Sequence, residues 1–140
     1  MTLALALRDV RDAEARLADQ LAQLGERHRA EHDVFHMCAT LRSLHDANLR
    51  ALEPFAERYP SQASARVAPP ATGTLLGDLR HLHLLYAEAS VDWVLLGQGA
   101  QALRDAELLA AVGDGHPQTL RGLKWTLTRL KSAAPQVLAG

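Results

Sequence analysis

The chain has 140 residues, 15 of them basic and 16 acidic, for a formal net charge of −1. That balance supplies no basic surface for a phosphate backbone, which argues against nucleic acid as a partner. The lone cysteine, Cys38, cannot form an intramolecular disulfide, the pattern of a reducing compartment and here of the cytoplasm.

Aromatic residues make up only 4% of the sequence, and the abundance of Ala, Leu and Arg favours helix over strand in a single domain of ordinary size. The apolar run from Leu3 to Leu7 meets Arg8 and Asp9 too soon for a signal segment. No other stretch approaches the ~20 apolar residues of a membrane span. From Leu3, the positions Leu7, Val10, Glu14, Leu17, Leu21, Leu24 and His28 follow in alternating steps of four and three, the mark of one helical face. A helix unbroken from Leu3 to Tyr59 would reach about 85 Å with nothing to cover it. The polar run from Gly25 to Asp33 therefore reads as a turn between helices over about 3–28 and 33–58, with Pro54 in the last turn of the second.

Residues 60–73 hold three prolines among small and polar residues and form the one long connection. Thr74 caps a third helix, 74–112, along Leu75, Leu79, Leu82, Tyr86, Ala89, Trp93, Leu96, Ala100 and Leu103. Gly113-Asp114-Gly115 ends it, Pro117 opens a fourth helix over 117–134, and Pro135 stops that one. Two short turns around one long connection describe an all-α four-helix bundle. The middle segment crosses it lengthwise, as in ferritin-like bundles, the other wiring being simple up-down-up-down.

Helical projection places two polar side chains on apolar faces: Glu14 on the first helix and His45 on the second, among Phe35, Cys38, Leu41, Leu49 and Leu52. Tyr86 falls near the same height, and Lys124 beside a fourth-helix seam of Leu120, Leu123 and Leu127. A buried carboxylate needs partners, so Glu14, His45, Tyr86 and Lys124 read as a hydrogen-bonded layer that sets register. The alternative is a metal ion or cofactor held around Glu14 and His45. A di-iron bundle asks for acidic-x-x-His pairs on two helices. The fourth helix has neither acid nor His, and Asp33/His36 and Asp78/His81 project away from the apolar faces. His28, His32 and His36 recur every four residues, a metal-ligand spacing that here straddles the first turn. His81 and His83 point to different sides of the third helix. With no phosphate loop, Cys pair or activated nucleophile, the reading is a non-enzymatic module for self-association or protein binding.

The segments HRAEHDVFH (28–36), RSLHDANLRAL (42–52), SVDWVLLGQGAQALRD (90–105) and HPQTLRGLKW (116–125) resemble a family of small uncharacterised actinobacterial helical proteins. The resemblance implies a bacterial helical domain and assigns no catalytic residue. Helix lengths and the placement of Glu14 are similar, more loosely, to ferritin-like bundles. The third helix, outlasting the fourth, is expected to leave Leu103, Leu108 and Leu109 uncovered and so to require a second copy, as in a homodimer. Trp93 is expected inside, with Trp125 at a border.

Overall fold

The computed structural model describes residues 1–62 and 71–140; positions 63–70 of the expected connection lie outside the described residues. Four helices make up the fold: α1 (Leu3–Arg27), α2 (His32–Arg58), α3 (Leu75–Ala102) and α4 (Ala106–Leu138). Thr2 and Thr74 cap α1 and α3, their hydroxyls accepting from the N–H groups of Leu5 and Gly77. Among the described residues, no helix is long and apolar enough to cross a membrane.

Contacts at the helix ends fix the directions. Arg27, closing α1, bonds Asp78, opening α3, at 2.8 Å. At the opposite pole Arg58, closing α2, bonds Asp105 before α4, while Asp33, opening α2, meets Arg129 near the end of α4. Neighbouring helices are thus antiparallel around a square in which α1 faces α4, and α2 faces α3, across the diagonals. The end of α2 and the start of α3 lie at opposite poles of the bundle, as expected for the crossing topology.

Three expected boundaries are corrected, one of them the end of the fourth helix, which does not stop at Pro135 but runs through it to Leu138. The third helix stops at Ala102, ten residues short of the expected end at 112, and α4 begins at Ala106 and runs through Gly113, Gly115 and Pro117. The turn is made by Leu103, Arg104 and Asp105, with Arg104 in left-handed backbone (φ 56°) and the Asp105 carboxylate accepting from Leu108 N–H. A local carboxylate cap starts the helix here, and Pro117 inside it merely lacks the N–H that would reach Gly113. As α4, not α3, is the longer helix, Leu108 is fully buried; Leu103 and Leu109 do stay exposed.

The face that α4 turns inward is corrected as well. Gly115, Thr119, Gly122, Thr126 and Ala133 are its buried positions after Val112, whereas Leu120 and Leu127 are exposed. The reason is steric: the Tyr86 ring of α3 occupies the space where a Gly122 Cβ would stand, and the Trp93 indole does the same at Gly115. Trp93 is buried and Trp125 half-buried, as expected.

The core falls into two clusters. One, near the α1–α2 turn, gathers Leu17, Leu21, Leu24, Val34, Leu41, Leu82 and Leu85. The other, near the α3–α4 turn, gathers Leu7, Val10, Leu52, Trp93, Leu96 and Leu108.

Asp78 closes the first of these poles. Its side chain, 1% exposed, accepts from Arg27, from the Gly73 backbone N–H and from the His28 imidazole at 2.8 Å. Burial alone pushes this carboxyl up, but the bonds from His28, Gly73 and Arg27 outweigh it and hold it below the usual carboxylate range. A depressed carboxylate stabilises the fold above its unfolded pKa and loses that contribution as pH falls through the folded one. Asp78→Asn should therefore cost on the order of 1–3 kcal/mol near neutrality. In denaturant titrations the gap from wild type should close as pH drops below about 4.

Candidate functional site: a buried polar layer

Between the two apolar clusters, each helix sends a polar group inward. Glu14 on α1 is 0% exposed, and its Oε1 accepts from Asn48 Nδ2 of α2 at 2.7 Å, Trp93 Nε1 of α3 at 3.1 Å and Thr119 Oγ1 of α4 at 2.9 Å. His45 Nδ1 lies 2.6 Å from Glu14 Oε2, in a contact bent away from the line of an ideal hydrogen bond. On the far side of the imidazole, Nε2 is 2.7 Å from the Tyr86 hydroxyl.

The periodicities of the helices explain this convergence. Asn48 is one turn beyond His45 on α2, and Tyr86 and Trp93 are seven residues apart on the seam of α3. Thr119 sits between Gly115 and Gly122, the notches that admit the two α3 rings. Burial, with the charges of Glu14 and Cys38 adding to it, pushes the Tyr86 phenol far above its ordinary value. The phenol stays protonated and shares one hydrogen bond with Nε2, while Nδ1 faces Glu14.

Of the expected constellation, Glu14, His45 and Tyr86 meet and Lys124 does not. Lys124 is exposed, because it follows Gly122 by two residues and so points to the opposite side of α4. Thr119 supplies the α4 donor instead. The histidine series does not form a single face. His28 is the cap residue after α1, turned to Asp78, whereas His32 and His36 lie exposed in the first turns of α2. Among the described residues, no three His, Cys, Asp or Glu side chains converge as metal ligands would. His81 is half-buried, while His83 bonds Thr126 at 2.8 Å.

Asn48, Trp93 and Thr119 are the members that sequence reasoning missed. The i+3 step from His45 to Asn48 was a usable signal; a threonine between two glycines was a weak one. His116 flanks the layer, stacked on Trp93 with centroids 6.3 Å apart and bonded to Ser90 at 3.0 Å. Burial lowers its pKa, and the Glu14 charge only partly counters that. Cys38 is buried too; burial, with Asp33 adding to it, pushes its thiol up to about 12, so it is a packed thiol and not a thiolate.

Chemically the layer is a carboxylate–imidazole–phenol chain with no open face: Glu14, His45 and Tyr86 are each 0% exposed. Three protein donors hold Glu14 Oε1, and Oε2 has only the bent contact with His45 Nδ1 beside it. A scan of family models, curated proteins and solved structures finds no match to the chain.

Glu14→Ala leaves Asn48, Trp93 and Thr119 without their buried acceptor and should cost about 3–5 kcal/mol, each stranded buried donor costing about 1–3 kcal/mol. Glu14→Gln keeps an acceptor for all three and should cost distinctly less. Chemical denaturation of the two variants in parallel checks the ordering.

Proposed function

We propose that the chain is a non-enzymatic helical module that self-associates through the outer face of α3 and α4. The observation that carries this reading is the apolar character of that face. Leu84, Val91 and Leu95 follow one line of α3, with Val94 turned toward α4; Leu109, Leu120 and Leu127 follow one line of α4. His116 lies on that same α4 line and bonds Ser90, one turn before Val94 on α3, so Val94 stands between the two lines. Each of the seven apolar residues is between 39% and 59% exposed.

Helix α3 is apolar on both sides. Between Leu82 and Ala102 its only charged residues are Glu88 and Asp92, the latter buried. A helix of that kind is normally covered on all sides. Two helices about 40 Å long and about 10 Å apart present a face of roughly 800 Å², the area one partner contributes to an ordinary stable interface. A second copy is the partner that needs no further component, and facing copies would pair one such apolar face with another. The polar layer supports a structural reading of Glu14 and His45, since it consumes the groups a ligand would need.

Static light scattering at about 100 μM, well above the micromolar dissociation constants common for interfaces of this size, should give twice the chain mass. Val91→Glu, at a position exposed in the single bundle, should give one chain mass with unchanged helicity. A wild type that scatters as one chain would overturn the reading.

A further inference from the structure

The seam between α2 and α4 is clasped at its poles by Arg58–Asp105 and Asp33–Arg129, yet it opens in between. There a groove of about 370 Å³ has Ala51 and Phe55 of α2 on one side and Ala111 of α4 on the other. That volume lies at the small end of the range for sites that hold organic ligands.

The floor of the groove carries a specific polar group. Asn48 is 6% exposed, and its Nδ2 is committed to Glu14 Oε1 at 2.7 Å and to the Gly115 carbonyl at 3.1 Å. Its Oδ1 accepts no hydrogen bond from the described residues and is not sealed from solvent, and the groove is where Asn48 comes to the surface. A carbonyl oxygen held this rigidly can only accept, so it selects a donor. The rim is acidic on the α4 side, where Asp114 and Glu107 stand; on the α2 side Arg58, bonded to Asp105 at 2.9 Å and 3.6 Å from Glu107, lies over one face of the Phe55 ring at 5.0 Å.

We propose that the α2–α4 groove is a binding site for a small primary amine with an apolar body. The ammonium donates to Asn48 Oδ1 and is drawn in by Asp114, and the apolar body lies against Phe55 and the alanine walls. This site is separate from the α3–α4 face and does not depend on the self-association reading.

The test uses 2-phenylethylamine, with 2-phenylethanol and phenylacetate as neutral and anionic counterparts, followed by amide shifts of Ala111 and Gly115 in NMR titrations. The amine should saturate these shifts and bind at least about tenfold more tightly than phenylacetate, which offers Asn48 Oδ1 no donor, and roughly two- to fivefold more tightly than 2-phenylethanol, whose hydroxyl can donate but brings no charge to Asp114. Ala51→Leu fills the groove from an exposed position and should weaken the amine at least about tenfold, steric exclusion from a small pocket being the dominant effect. Should that variant lose helicity, Ala110→Leu on the facing wall serves the same purpose. Asp114→Asn should weaken binding roughly two- to fivefold, the scale of a partly exposed ion pair. The proposal is overturned by shifts that fail to saturate at about 10 mM, beyond even millimolar affinity. Equal affinity for all three probes, or undiminished affinity in the groove-filled variant, overturns it as well.

Discussion

The Glu14 carboxylate, placed where water cannot reach it, dictates much of the remaining architecture. An isolated carboxylate in such a place is costly by several kcal/mol, and only donors fixed in position can offset that. Its donors come one from each of the other three helices, Asn48 of α2, Trp93 of α3 and Thr119 of α4, and His45 of α2 sits against its second oxygen. Sliding any helix by one residue would rotate its donor about 100° away from the carboxylate. The layer therefore specifies the axial register of the whole bundle, which the leucine clusters above and below it, being non-directional, specify only weakly.

Steric complementarity follows from the same layer. To bring Tyr86 to His45 and the Trp93 indole to Glu14, α3 must drive two large rings across the core, and α4 receives them at Gly122 and Gly115. The small residues of α4 are thus its inward face, and its leucines are displaced outward. The apolar surface on the α3–α4 side and the buried polar centre are two results of one packing solution.

Much of this was legible in the sequence. The seams of α1, α2 and α3 announce themselves because leucine, the loudest residue in a periodicity argument, lies inside on those helices. Glu14, His45 and Tyr86 interrupt those seams and could be read as meeting. Helix α4 was misread for the converse reason: its leucine line is its outer face, so Lys124 was drawn into the layer and Thr119 left out. The α3–α4 turn was missed because Arg104 occupies the left-handed position that a glycine commonly marks. Gly113-Asp114-Gly115 and Pro117 meanwhile imitate a helix break that tertiary packing overrides. No periodicity reports on the end-to-end clasps, or on the accessible oxygen of Asn48, because both depend on how separate helices meet.

The directions of the helices also bear on how the chain reaches this state. Each half, α1 with α2 and α3 with α4, is a local hairpin whose contacts close short loops and form quickly. The polar layer, by contrast, joins positions 79 and 105 residues apart in the chain. Until the hairpins dock, Glu14 is content in water; as they dock, it must lose that water and gain Trp93 and Thr119 from the opposite hairpin in the same event. A partly docked bundle is therefore penalised at its centre. The barrier to assembly falls on the meeting of the two halves, and the ordered bundle comes apart as a unit and does not shed one helix at a time.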